Sequence, residues 1–134
     1  MALVPVLTDE QAGPEASAVF DDIRASRNTD YINNIWRALA NDPKQLKLTW
    51  EQVKTVMSQG ALDPLTKGLI YIAVSAANGC GYCLHTHAAS ARAKGMTPEM
   101  FAELMQVVVL ASQTNRIAIG LQVEVDERYK ESPR

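Results

Sequence analysis

The residues best suited to chemistry lie in the segment CGYCLHTH, which holds both cysteines and both histidines of the 134-residue chain. Cys80 and Cys83 are three residues apart, and His87 follows one helical turn after Cys83. On a helix that begins near Cys80 these three positions share one face, whereas His85 points away from it. We therefore expect Cys80, Cys83 and His87 to act together and His85 to be the weaker candidate.

Thiol chemistry requires a thiolate, and the pKa of a thiol falls well below its ordinary value at a helix N-terminus or beside a base. The first helical turn offers unpaired N–H groups to Cys80, and His87 is close enough to Cys83 to accept its proton. In this scheme Cys83 attacks a peroxide or a disulfide, and Cys80 resolves the product as an internal disulfide. The reverse assignment, in which Cys80 attacks and Cys83 resolves, stays open because Cys80 is nearer to the N-terminus of the helix.

Two other roles of the cysteines, zinc binding and simple packing, are less consistent with the sequence. Zinc could be bound by the four residues Cys80, Cys83, His85 and His87, but zinc sites of this kind usually recruit a second, distant ligand pair, which the sequence lacks. Simple packing as small apolar residues is also disfavoured, because both cysteines fall beside a helix start and close to a histidine. We predict a redox pair, with no metal and no cofactor.

Short capping signals mark the elements that must position this segment. Three pairs of a capping residue and a proline predict helix starts: Asp42-Pro43, Asp63-Pro64 and Thr97-Pro98. Three glycines predict helix ends: Gly60, Gly79 and Gly95. The thiol helix is therefore expected to run from about Cys80 to Lys94.

Apolar residues at helical spacing fill these intervals, as in the stripe Leu46, Trp50, Val53 and Met57. Further helices are expected at about 9–26, 30–40, 64–78 and 98–122, and strand-like alternation is absent. We predict an all-α bundle of about six helices with the CxxC at the N-terminus of a helix. It forms a single domain over residues 1–134, with a core at about 42–122 and a helical lead-in over 1–41.

Composition narrows the classes of partner. The chain is 47% hydrophobic and 21% charged, which is typical of a folded protein, and its net charge is −2. Without a basic cluster, nucleic acid and membrane partners are disfavoured. The longest apolar run, Leu69 to Ala77, is about half of the roughly 20 residues that a spanning helix needs, and the N-terminus does not resemble a signal peptide. Two closely spaced cysteines fit a reducing compartment, so we expect a cytoplasmic location.

The segment AVSAANGCGYCLHTHAASARAKG, residues 73–95, resembles the core motif of the alkyl hydroperoxidase D-like branch of the carboxymuconolactone decarboxylase family. The resemblance extends more loosely over the helices from about 42 to 122. It implies an all-α fold, homo-oligomers that are often trimers or hexamers, and peroxidase or disulfide reductase activity. It also implies that Cys83 attacks the peroxide, that Cys80 resolves, and that His87 belongs to a proton relay.

One position departs from that family pattern. The relay usually includes a glutamate twelve residues before the first cysteine, and here that position is Gly68. Without a carboxylate to orient the imidazole, His87 would be a poorer base, and peroxidase turnover is expected to be weak unless another helix supplies a replacement. Glu51 and Glu103 are the nearest candidates by helix count, but both are explained as parts of solvated helical faces.

The resulting hypothesis is a peroxiredoxin-type peroxidase that reduces hydroperoxides and is re-reduced by an external dithiol carrier. The missing glutamate makes a general disulfide reductase the first alternative, and a non-catalytic redox sensor is the second. Decarboxylation is disfavoured, because the decarboxylase members of the family lack the paired cysteines. The wide apolar coverage of the helices at 64–78 and 98–122 exceeds what a small monomer hides, so we expect a homo-oligomer.

Overall fold

The computed structural model describes residues 2–130, which form six α-helices and a short 3₁₀ turn at Glu127–Tyr129. The helices are α1 (Pro14–Arg27), α2 (Asn34–Leu39), α3 (Pro43–Met57), α4 (Pro64–Ala77), α5 (Gly81–Ala93) and α6 (Pro98–Gly120). The described residues contain no strand, so the all-α prediction is confirmed. Among the helices of this part of the chain, none has the length and apolar character needed to cross a membrane.

The three predicted helix starts are confirmed, each with a capping side chain. The Asp42 carboxylate accepts a hydrogen bond from the backbone N–H of Gln45 at 3.2 Å. The Asp63 carboxylate accepts one from Thr66 at 2.9 Å, and the Thr97 hydroxyl one from Met100 at 3.1 Å. In each helix the proline occupies the first turn, where a backbone N–H has no acceptor within the helix, so its absence breaks no helical hydrogen bond.

The predicted helix ends are confirmed at two glycines and wrong at the third. Gly79 and Gly95 follow α4 and α5 with positive φ values of 72° and 104°, a conformation that suits glycine. Helix α3 instead ends at Met57, and its C-cap Ser58 is extended. Gly60 lies beyond that cap, so it does not end the helix through a left-handed turn.

The first two helices begin later than the sequence pattern indicated, at Pro14 rather than Asp9 and at Asn34 rather than Asp30. For the first helix the reason is a long-range ion pair: the Asp9 carboxylate binds Arg24, and its other oxygen lies 2.8 Å from Arg37 Nη2. These charge-assisted contacts hold Asp9 in a turn, and they keep its pKa below the ordinary aspartate value, chiefly through the hydrogen bond from Arg24.

The chain divides into two compact units between Ser58 and Gln59. A single domain over 1–134, as expected from length, stays a prediction. The first unit contains α1, α2 and α3, and its core cluster includes Phe20, Ile23, Trp36, Leu46 and Trp50. The two tryptophan rings meet edge to face at 5.5 Å, and both are buried. The second unit contains α4, α5 and α6, where Ile72, Ala88, Ala91 and Met96 form the core cluster.

In the first unit, one carboxylate joins α1 to α3. Asp22 Oδ2 accepts hydrogen bonds from Trp50 Nε1 and Lys54 Nζ, both at 2.6 Å. Trp50 is only 3% exposed, so its indole N–H depends on this acceptor. Hydrogen bonds from Lys54 and then Trp50 hold the pKa of Asp22 below its usual value.

Asp22→Ala should lower the free energy of unfolding of the first unit by about 1–2 kcal/mol, because the buried indole N–H of Trp50 loses its acceptor. Asp22→Asn should lower it much less, because the amide oxygen still accepts from the indole and the half-exposed ion pair with Lys54 contributes little. Urea unfolding followed by tryptophan fluorescence measures both changes, since both tryptophans lie in this unit.

Asp21→Ala is the matched control, because Asp21 is on the same helix and 78% exposed, and it carries the same gain in helix propensity. Since the pKa of folded Asp22 is lowered, its stabilising charge is present above the unfolded pKa and is lost as the pH falls through the folded one. The difference between wild type and Asp22→Ala should therefore shrink in acid. Equal stabilities of Asp21→Ala and Asp22→Ala at neutral pH would contradict this assignment.

Candidate active site

The two cysteines lie at the junction of α4 and α5. Helix α4 ends in a left-handed turn in which the N–H of Gly79 bonds the Ala76 carbonyl at 3.2 Å and the N–H of Cys80 bonds the Ser75 carbonyl at 2.9 Å. Cys80 is also the N-cap of α5, where its sulfur accepts a hydrogen bond from the backbone N–H of Cys83 at 3.2 Å. The last bond of one helix and the first cap of the next therefore meet at one residue.

Cys80 and Cys83 are joined by a disulfide, with their Cα atoms 5.3 Å apart. Both side chains are partly buried, and the first turn of α5 contains no acidic residue. The partial positive charge of the helix N-terminus therefore acts on the sulfur of Cys80 without an opposing carboxylate in that turn. In the reduced protein this favours negative charge at the capping sulfur.

His87 lies one turn after Cys83 on α5, as the sequence pattern predicted. Its imidazole is stacked on the ring of Tyr71 from α4, with ring centroids 3.6 Å apart and planes inclined by 20°. His85 is exposed on another face of the helix. The structure thus brings Cys80, Cys83 and His87 onto one short stretch of α5 and adds an aromatic ring from α4.

Small residues let α4 and α5 approach closely enough for this stacking. A Cβ placed on Gly68 would lie 3.7 Å from the Cβ of Ala91, an ordinary contact distance. Gly68 faces Ala91 and Tyr71 faces His87, so residue numbers fall along α4 as they rise along α5, and the two helices are antiparallel. Ile72 and Ala88, both buried, belong to the same core cluster.

The two carboxylates considered as relay replacements have other surroundings. Glu51 Oε1 lies 3.0 Å from Lys54 Nζ on the surface of α3, in the other unit. Glu103 is exposed on α6. Within residues 2–130, no three His, Cys, Asp or Glu side chains gather in a way that would hold a metal ion.

Sequence reasoning missed Tyr71. A signal was present, because Tyr71 lies one turn after Gly68 and one turn before Ser75, on the face of α4 that packs against α5. Residues three apart on a helix are neighbours on one face, so a side chain at position 71 can reach the same part of α5 as one at position 68.

The fold and the site define an all-helical thiol protein whose CxxC pair caps a helix and is followed by a histidine one turn later. Residues 44–123 match the Carboxymuconolactone decarboxylase family, and this stretch is more than half of the chain. The chain belongs to that family, and it is an AhpD-like member of it.

Two relatives support this placement. The chain is 31% identical over 106 residues to "Alkyl hydroperoxide reductase AhpD" of Solibacter usitatus, an alignment that covers 77% of this chain and 58% of that protein. It is 41% identical over 54 residues to "Uncharacterized protein 4 in cox locus" of Paracoccus denitrificans, covering 40% of this chain and 49% of that one. The chain thus matches about half the length of these curated relatives.

A solved structure covers almost the whole chain. The crystal structure of an alkylhydroperoxidase AhpD core from Rhodospirillum rubrum is 57% identical in sequence and superposes with a TM-score of 0.94. The match covers 98% of this chain and 99% of that one. The helical fold is therefore shared across the full described length.

The capping role of Cys80 predicts an asymmetry between the two cysteines. In reductant, Cys80→Ala should be less stable than Cys80→Ser by about 1 kcal/mol, because a serine hydroxyl replaces the sulfur as acceptor for the N–H of Cys83 and alanine does not. Urea unfolding followed by far-ultraviolet circular dichroism measures the difference.

Position 83 is the matched control, because Cys83 lies inside the first turn and its side chain is not the cap. There, serine should give no advantage over alanine. The same stability for Ser and Ala at position 80, or a serine advantage at position 83, would show that the sulfur of Cys80 does not cap α5.

Proposed function

We propose that this chain is a thiol-dependent peroxidase that reduces organic hydroperoxides or hydrogen peroxide through a dithiol and disulfide cycle at Cys80 and Cys83. The observation that carries the proposal is the disulfide at the N-terminus of α5 with His87 one turn later. The names of the Solibacter relative, an alkyl hydroperoxide reductase, and of the Rhodospirillum structure, an alkylhydroperoxidase core, support the same chemistry.

In the first half of the proposed cycle, the Cys83 thiolate attacks the outer oxygen of the hydroperoxide. The S–O bond forms as the O–O bond breaks, so sulfur is oxidised to a sulfenic acid and the peroxide is reduced. The leaving alkoxide takes a proton from the imidazolium of His87, which had accepted it from the Cys83 thiol, and departs as an alcohol.

In the second half, the Cys80 thiolate attacks the sulfur of the sulfenic acid. The disulfide forms, hydroxide leaves, and with one proton it becomes water. The N–H of Cys83 that points at the Cys80 sulfur supports this role, because it favours negative charge there before attack. An external dithiol carrier then supplies two electrons and two protons and restores both thiols.

A general disulfide reductase is the second candidate, and Gly68 is the observation that favours it. With glycine at this position no carboxylate adjoins the site from this turn of α4. Thiol and disulfide exchange needs a good thiolate and a reachable disulfide, and it depends less on a proton relay than peroxide cleavage does. Rates with the two classes of oxidant separate these candidates.

Single-turnover oxidation of the reduced protein by cumene hydroperoxide at pH 7 should form the disulfide faster than a free thiol reacts. Cys83→Ser should abolish the reaction, and Cys80→Ser should stop it at a sulfenic acid that dimedone traps. His87→Ala should slow it by roughly 10²-fold, the contribution of a positioned base. Disulfide formation is followed by mass spectrometry after alkylation of the remaining thiols.

His85→Ala is the control, since this exposed histidine lies on the same helix and should react like wild type. A wild-type rate no faster than that of a free thiol, together with rapid exchange with a small disulfide, would replace the peroxidase by the disulfide reductase. Slow reaction with both the hydroperoxide and the disulfide would contradict both the peroxidase and the disulfide reductase proposals.

We further propose that the chain acts as a homo-oligomer, a trimer or hexamer by resemblance, in the reducing cytoplasm. Helix α6 supports this proposal, because none of its residues is buried and it exposes several large apolar side chains: Val107, Val109, Leu110, Ile117 and Ile119. A face of this kind is normally covered by another surface.

Light scattering after size exclusion should give a mass that is a multiple of the 14.7 kDa chain. Val109→Glu should lower that mass, because it places a charge in the apolar face of α6. Asn115→Asp, an exposed position on the other side of the same helix from Leu110 and Ile117, is the charge-matched control and should not change it. A monomeric wild type would remove the proposal.

A further inference from the structure

We propose that Tyr71 is a positioning residue for His87, and that its ring, stacked on the imidazole, sets the plane in which the imidazole is held. The inference rests on the proposed function in one respect, which is that His87 acts as the base for the thiols. The stacked pair of rings is the observation that carries it.

Stacking restricts the imidazole in the way that base chemistry requires. With ring centroids 3.6 Å apart and planes within 20° of parallel, rotation of the His87 ring about its Cβ–Cγ bond would drive an edge into the phenol ring. The plane of the imidazole is therefore fixed, and both ring nitrogens are restricted to that plane. A proton acceptor held in one orientation needs no reorganisation when the neighbouring thiol reacts.

The face of a phenol ring is also electronegative. A cation placed over it is stabilised, so Tyr71 favours the protonated form of His87 after it has taken a proton from a thiol. A carboxylate partner would act in the same direction through its charge. The two contacts differ in geometry, because a carboxylate binds the edge of the imidazole and the tyrosine ring covers its face.

Tyr71 is itself held in place by the packing of α4 on α5. The neighbouring Ile72 is fully buried in the core cluster, and the hydroxyl of Ser75 donates a hydrogen bond to the Tyr71 carbonyl at 2.7 Å. The side chain of Tyr71 nevertheless remains 39% exposed, so the core does not require an aromatic residue here. Its contact with His87 accounts for a ring at this position.

Gly68 lies one turn before Tyr71 and is next to Ala91 rather than His87. Gly68 is buried, and a Cβ placed there would lie 3.7 Å from the Cβ of Ala91, an ordinary contact distance. A small side chain would therefore fit at position 68, and the stacking of Tyr71 on His87 does not depend on the glycine.

The test compares Tyr71→Phe, which keeps the ring, with Tyr71→Leu, which keeps bulk but removes it. The chain has only two histidines, so the ring-proton resonances of His87 can be read by NMR with His85 as an internal reference. Tyr71→Phe should retain the upfield ring-current shift of the His87 ring protons, and Tyr71→Leu should lose it. The ring-proton shifts of His85 should stay unchanged in both variants.

Reactivity is measured in the Cys80→Ser background, where Cys83 is the single thiol. Alkylation of Cys83 by iodoacetamide should be slowed about tenfold by Tyr71→Leu, which corresponds to about 1.4 kcal/mol, and less than twofold by Tyr71→Phe. Ile70→Ala is the control, because this exposed residue precedes Tyr71 on the same helix. Peroxide-driven disulfide formation in the wild-type cysteine background should follow the same order.

Unchanged His87 resonances in Tyr71→Leu, or alkylation of Cys83 in that variant at the rate of the Cys80→Ser parent, would overturn the proposal. A Tyr71→Phe variant as slow as Tyr71→Leu would also overturn it, because the hydroxyl rather than the ring would then be required. These outcomes are independent of the peroxidase activity: a wild type that ignores peroxide sinks the proposed function, while the NMR and alkylation measurements still decide the role of Tyr71.

Discussion

The site depends on one constraint, which is that Cys80 closes the turn after α4 and caps the start of α5. Its N–H completes the left-handed turn that closes α4, and its sulfur caps α5. A residue bonded on both sides has little freedom, so the direction of α5 relative to α4 is set at the cysteine itself. The chemistry-bearing sulfur is thereby placed where the unpaired N–H groups of a helix point, and the antiparallel return of α5 along α4 follows from the same turn.

Once the two helices run side by side, small residues determine how near they come. Gly68, Ala88 and Ala91 leave room between the backbones, and Ile72 fills the remaining core. The close approach then lets an aromatic side chain of one helix reach the imidazole of the other. In this chain a ring-to-ring contact occupies the place next to His87, while the neighbouring turn of α4 carries a glycine.

The first unit is organised by different means. Its connections run through charged side chains that reach across long stretches of sequence, from Asp9 to Arg37 and from Asp22 to Lys54. Such contacts orient helices and satisfy the indole of Trp50, but they leave no signature in the spacing of apolar residues. This is why helix starts at Pro43, Pro64 and Pro98 could be read from the sequence, whereas the turn that holds Asp9 out of a helix could not.

By itself the sequence determined the helical class, three of the helix starts, the ends of α4 and α5, and the alignment of Cys80, Cys83 and His87 along one short helix. These features follow from bonds among residues four or five positions apart, and caps, prolines and glycines act within that range. Only the tertiary structure decided that Tyr71 covers His87 and that Asp9 meets two arginines. Those contacts depend on how whole helices pack, and packing is set by the combined shape of many side chains rather than by any local pattern.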